Sequence, residues 1–206
     1  MKIYLYCFLL CVLSCQAQAK SPSFTFVEAE LVSSGDLDVT DGSLSANVDL
    51  DGFAIKGSIE LGRFFIQASR FELDSDEVLI GSSIDDSIST LALGIAFDLP
   101  RTKLFGLIRA RRDELSLSGG IFDEDADVGF VGLEAGVRFN VTDRFELNAN
   151  VGVIPSTESG ESFGVGAQFF ITDNIGITLD FNTLSAEEDD IELDFDTSSI
   201  GVRYTF

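Results

Sequence analysis

Leu91, Leu93, Ile95, Phe97 and Leu99 alternate with Thr90, Ala92, Gly94, Ala96 and Asp98, so one face of this stretch is wholly apolar when it is extended. A period of two is the geometry of a β-strand. Val131, Leu133, Ala135, Val137, Phe139 and Val141 repeat the pattern against Gly132, Glu134, Gly136, Arg138 and Asn140. Similar segments lie at 145–153, 163–171, 175–181 and 200–206, and earlier candidates at 24–32, 53–61, 63–73 and 103–115. The register of 63–73 is open, because Phe64, Phe65 and Ile66 run consecutively. The pattern predicts ten strands of about 9 to 12 residues, the length a tilted strand needs to cross a bilayer. An eight-strand barrel is the alternative, with part of the first hundred residues in loops.

The connections between these segments alternate between short and long. Gly62-Arg63, Pro100-Arg101-Thr102, Thr142-Asp143-Arg144 and Thr172-Asp173-Asn174 are short. Residues 33–51, 74–88, 116–127, 154–162 and 185–195 form the long set, expected as solvated loops carrying acids such as Asp74, Asp76, Glu77, Asp85 and Asp86. Basic residues are expected at the short turns (Arg63, Arg101, Lys103, Arg144) or on the polar strand face. Strict alternation of this kind fits an up-and-down barrel with short periplasmic turns and long outer loops, and does not fit a Greek-key sandwich.

The chain ends Ile200-Gly201-Val202-Arg203-Tyr204-Thr205-Phe206, an apolar strand closing on a C-terminal Phe. This tail resembles the closing strand of bacterial outer-membrane β-barrels of the porin-like and OmpA-transmembrane-domain type. The resemblance covers 23–206. It implies a Gram-negative outer-membrane location, lipid and lipopolysaccharide as surroundings, a monomer, and Tyr204 and Phe206 as the signal read by the barrel-assembly machinery. The fold class expected is all-β: a transmembrane antiparallel up-and-down barrel with long acidic extracellular loops.

Met1-Lys2, the apolar run 3–14 and Ala17-Gln18-Ala19 have the three parts of a secretory signal peptide, which divides the chain into 1–19 and a barrel domain 20–206. A lipoprotein cut before Cys15 is the competing processing, and Leu13 fits it poorly. Cys7, Cys11 and Cys15 all precede Ala19, so cleavage leaves no thiol for disulfides or metal. With 12 Lys and Arg against 35 Asp and Glu the remaining chain carries −23, which argues against nucleic acid as a partner.

Apolar faces toward lipid put the polar faces inside. Those carry Glu28, Glu30, Lys56, Glu60, Arg109, Arg111, Glu134, Arg138, Glu146, Asp180 and Arg203, with Asn148, Asn150, Gln168 and Asn182 among them. Glu60, Arg109, Arg111, Glu134, Arg138, Glu146, Asp180 and Arg203 are the candidate lumen charge network. Inward glycines such as Gly94, Gly132, Gly136, Gly164, Gly166, Gly176 and Gly201 are expected to make room for long charged chains opposite. Ten strands suggest a narrow or filled lumen. Phe97, Phe139, Phe145, Phe169, Tyr204 and Phe206 lie where an interfacial aromatic girdle would sit.

The chain contains no His. Without that general base or a thiol nucleophile, no enzymatic activity is expected and no catalytic, cofactor or metal residue is named. Asp123, Asp125, Asp127, Gly129 and Glu134 miss the calcium-loop spacing, because Gly falls seventh and a strand follows. The expected function is a non-enzymatic outer-membrane barrel with a largely filled polar lumen and a structural or surface-interaction role, touching lipopolysaccharide through divalent cations. The alternatives are a narrow cation-preferring pore and a secreted soluble β-sandwich binding cations or glycans.

Overall fold

A computed structural model describes residues 22–41, 44–75, 83–119, 122–155, 159–188 and 191–206. The signal-peptide and Cys15 expectations lie outside the described residues, as do Asp76 and Glu77. The chain forms ten antiparallel strands: β1 (Phe26–Asp41), β2 (Leu44–Leu61), β3 (Phe64–Ser75), β4 (Ser83–Leu99), β5 (Thr102–Gly119), β6 (Phe122–Thr142), β7 (Phe145–Val153), β8 (Ser159–Phe170), β9 (Ile175–Glu188) and β10 (Ile191–Thr205). Each pairs with its sequence neighbours, and β1 pairs with β10, from Phe26 against Thr205 to Asp41 against Ile191. The barrel is closed and has no free edge.

The short turns follow from local chemistry. Gly62 joins β2 to β3 at φ 69°, a left-handed conformation that glycine adopts without strain. Thr142 and Thr172 cap their turns with the hydroxyl, which accepts from the amides of Arg144 at 3.2 Å and Ile175 at 3.0 Å.

Leu91, Leu93 and Phe97 on β4, Ile55, Ile59 and Leu61 on β2, and Ile200, Val202 and Tyr204 on β10 are all exposed on the outer surface. On β4 this belt runs from Leu91 to Leu99, about 21 Å along the barrel axis for a strand tilted about 40°. A continuous apolar belt of that height is a lipid-facing surface.

Above the belt the structure departs from the sequence expectation. The strands run from 9 to 21 residues, and most of the expected long loops are continuations of the ladder. The reason is an inversion of polarity along unbroken strands. On β2, Phe53 and Ile55 face outward beside inward Lys56, whereas one turn of the pleat higher Asp49 and Asp51 face outward and Val48 and Leu50 are buried. β3 does the same with outward Asp74 and buried Leu73, and β10 with buried Phe195 between Asp194 and Asp196. On β1 a bulge after Val32 shifts the parity by one, which turns Asp36 and Asp38 outward. Val32, Val48, Leu50, Leu73, Ile88 and Phe195 pack into one apolar cluster, with Phe71 against it. The outer part of the barrel therefore carries an apolar cluster inside, with Asp86 also buried there, and acids outside, whereas the membrane part turns its charged residues inward.

Candidate functional site: the lumen

The lumen inside the belt is layered. At the short-turn end the segment before β1 turns into the barrel and places Phe24 on the axis side, 4 % exposed. Three polar contacts fix it: the Phe24 amide donates to Glu60 Oε2 at 3.0 Å, the Glu60 amide donates to Thr25 Oγ1 at 3.1 Å, and Arg138 Nη1 donates to the Ser23 carbonyl at 2.6 Å. The Phe24 ring stacks on Phe65 at 4.1 Å and meets Phe105 edge-on at 5.3 Å. Phe26, Ala92, Ala96 and Leu107 complete this apolar floor. The lumen is thus not purely polar, and the expectation of an apolar outside against a polar inside is corrected here. Three of the rings arrive because Phe24 and Phe26 share the inward parity of Glu28 and Glu30, and Phe65 alone of the Phe64-Phe65-Ile66 run points inward.

Two of the inward glycines serve these rings and not charged chains. A Cβ at Gly94 would lie 2.2 Å from Phe65 Cζ, and one at Gly136 would lie 2.4 Å from Phe105 Cζ. Gly164, Gly166, Gly176 and Gly201 do stand against polar side chains, those of Asn150 and Asn182, Asp180 and Asn148, Gln168, and Glu30 and Thr178 respectively.

The charged residues divide into pairs at several heights. Nearest the floor, Lys103 Nζ lies 2.6 Å from Glu60 Oε1 and 3.2 Å from Asp98 Oδ1, so Lys103 belongs to the lumen and not to the turn where its sequence position suggested it. Arg138 pairs with Glu146 at 2.6 Å, and Arg203 with Glu28 at 2.7 Å while donating to Gln168 Oε1 at 3.1 Å. The guanidiniums of Arg138 and Arg203 also sit 4.9 Å and 4.2 Å from the ring centres of Phe24 and Phe26. Lys56 pairs with Glu30 at 2.6 Å. Higher still, Arg109 pairs with Glu134 at 2.7 Å and Arg111 with Asp113 at 2.7 Å. Of the eight residues expected as one network, Arg138 with Glu146 and Arg109 with Glu134 are direct partners; Glu60, Arg203 and Arg111 have partners outside the set. Asp180 lies against Asn148 and Gly166. Lys103 and Asp113 were absent from the expected set, although each shares the inward parity of Arg109 and Arg111.

Carboxylate oxygens of Glu28, Glu30 and Asp180 lie within 4.8 Å of one another, a spacing that suits a cation. The positions a cation would take are filled by Lys56 Nζ on Glu30 and the Arg203 fork on Glu28. Above the floor are two small cavities of about 110 and 130 Å³, both lined by Lys56, Gln67, Arg109, Asn150 and Asn182. A vestibule of about 340 Å³ opens at the short-turn end, lined by Ser23, Arg138, Asn140 and Glu146.

Outside the membrane span, Asp86 is buried inside the outer barrel, and its carboxyl is pushed up to about 6 by burial and then by the charge of Asp113, with Arg111 opposing and Glu72 adding. Asp36 and Asp74 are held above the usual carboxylate range, Asp36 chiefly by a hydrogen bond shared with Asp49 and Asp74 by burial followed by Asp85. The register explains both, since Asp196, Asp36 and Asp49 stand directly across from one another on three strands, as do Asp51, Asp74 and Asp85.

No protein-family model and no curated protein matches the sequence. Solved structures do. The translocator domain of the autotransporter NalP from Neisseria meningitidis superposes with a TM-score of 0.54 at 12 % identity, covering 100 % of this chain and 96 % of its own. The outer-membrane protease OmpT from Escherichia coli gives 0.51 at 13 % identity, covering 91 % and 99 %. Neisserial surface protein A gives 0.50 at 12 %, covering 89 % and 98 %. The likeness is one of fold: this chain has the closed antiparallel architecture of bacterial outer-membrane β-barrels.

Proposed function

We propose that the protein is a non-enzymatic β-barrel of a Gram-negative outer membrane, closed to solutes, that anchors an acidic, apolar-cored extension at the cell surface. The observation that carries this reading is the floor formed by Phe24, Phe65 and Phe105, pinned by Glu60, Lys103 and Arg138 between the periplasmic vestibule and the inner cavities. A chain without His leaves no general base of the usual kind, and the buried Arg and Lys side chains of the membrane layer already face carboxylates. Its partners in this reading are lipid and lipopolysaccharide, approached through divalent cations at the outward aspartates, and the barrel-assembly machinery acting on the Tyr204 and Phe206 end; it acts as a monomer. The narrow cation-preferring pore draws support from the two cavities that share Lys56, Arg109 and Asn182. Potassium release from liposomes decides between them. The closed reading expects release at the rate of protein-free vesicles; release that rises with the amount of folded protein would favour the pore.

A further inference from the structure

The outer surface just above the belt is acidic almost everywhere. Asp36, Asp38, Asp49, Asp51, Glu72, Asp74, Asp85, Glu114 and Asp196 all face outward there. Two arginines break the pattern. Arg70 on β3 and Arg112 on β5 are, among the described residues, the basic side chains on the outward face above the belt, with side chains 56 % and 61 % exposed. Neither a short turn nor the lumen accounts for them.

Their placement is specific. Arg70 stands directly across from Ser89 on β4, and Ser89 directly across from Arg112. The three form one row, with the arginine backbones about 10 Å apart over two strand spacings. The row below it is Ala68, Leu91 and Ala110, and the next is Ile66, Leu93 and Ile108, which is the lipid-facing belt. The row above it is Glu72, Ser87 and Glu114. Arg70 and Arg112 thus lie on the line where the surface changes from apolar to acidic, the level at which lipid headgroups begin. Each arginine also bridges to the glutamate two residues along its own strand, Arg70 to Glu72 at 2.5 Å and Arg112 to Glu114 at 3.2 Å. Exposed pairs of this kind contribute little and exchange partners readily.

We propose that Arg70, Ser89 and Arg112 form a docking site for the phosphate of an outer-leaflet lipopolysaccharide, whose acyl chains lie along Leu91, Leu93 and Ile108. Two planar guanidiniums flanking a hydroxyl match a phosphate's oxygens by charge and by donor geometry. A carboxylate-bearing partner would also meet the charge but not the apolar rows directly beneath. The site depends on the outward belt and not on the closed lumen, so the potassium-release result leaves it untouched.

The test is binding of lipopolysaccharide to the purified folded protein in detergent micelles, with a chelator present so that acids and divalent cations cannot bridge. The probes are intact lipopolysaccharide, the same preparation stripped of phosphate, and inorganic phosphate. Arg70→Gln with Arg112→Gln is expected to weaken binding of the intact lipid about tenfold, and Arg144→Gln at a periplasmic turn to leave it unchanged. Phosphate stripping should lower wild-type binding to the level of the double variant. Each single variant should fall between wild type and double variant, and the mobility shift on boiling shows that each is folded. Equal binding by wild type and the double variant would overturn the proposal, as would complete displacement of the lipid by millimolar inorganic phosphate.

Discussion

Replacing Gly94 by alanine should test the aromatic floor more sharply than removing any ring. The added Cβ would lie 2.2, 2.4 and 2.8 Å from three carbons of the Phe65 ring. Carbon atoms pack at about 3.5 to 4.0 Å, so the ring must retreat by more than about 1 Å. It has no room to do so, because Phe24 stacks on its other side at 4.1 Å with the planes 6° apart, and Phe24 is itself tied to Glu60. Phe65 is 1 % exposed and cannot swing into lipid. Overpacking of this kind costs about 1 to 3 kcal/mol. Gly94 lies outside the left-handed region that Gly62 occupies, so backbone strain does not enter. The assay is equilibrium urea unfolding in lipid vesicles, followed by circular dichroism, in a double-mutant cycle with Phe65→Ala. In the Phe65→Ala background the Gly94→Ala cost should vanish, giving a coupling of about 1 to 3 kcal/mol. Gly57, with nothing within 4 Å of its added Cβ, is the control, and its alanine variant should change stability by less than about 0.5 kcal/mol. A Gly94→Ala cost that is the same in both backgrounds, or as small as that of Gly57→Ala, would refute the packing described for the floor.

Three other outcomes follow from the charges. Arg138→Met leaves Glu146, 1 % exposed, without its counter-charge and should cost about 3 to 5 kcal/mol by the same urea assay, with Glu146→Leu in addition restoring most of it. Asp86 has a folded carboxyl at about 6 against an ordinary 3.8, so wild type should lose up to about 3 kcal/mol as pH rises from 4 through 6, the loss persisting above. Asp86→Asn should therefore match wild type below about pH 4 and be the more stable above pH 6, measured as the temperature at which the unboiled gel band is lost. Magnesium should raise that temperature and a chelator should leave it unchanged from the metal-free protein, because the rows Asp196, Asp36, Asp49 and Asp51, Asp74, Asp85 set like charges directly opposite one another.

The membrane part of the fold was legible because its alternation is unambiguous. Leu91 to Leu99 and 131–141 each put five or more apolar side chains on one face, and the ladder pairs them as the pattern requires. The outer part was not legible by the same rule. Along 44–51 the alternation continues unbroken, but Val48 and Leu50 carry it inward while Asp49 and Asp51 carry it outward. Reading charge density alone turns such a segment into a loop; reading parity across the boundary would have continued the strand. The floor of the lumen was hidden for a related reason. Hydrophobicity alone sends an apolar residue toward lipid, yet Phe24 and Phe26 share a face with Glu28 and Glu30, a parity visible in the sequence. What parity cannot supply is the partner: the inward Phe65 ring fits because Gly94 stands directly across from it, and Lys103 finds Glu60 only when β2 and β5 are brought across the barrel from each other.

The most direct test of the account is single-channel recording in planar bilayers, comparing wild type with Phe24→Ala. A silent wild-type barrel is expected, with small, steady openings once the Phe24 ring no longer lies between the vestibule at Arg138 and the cavities at Lys56 and Arg109. Steady openings of the wild type, with the same conductance in the Phe24→Ala variant, would contradict it.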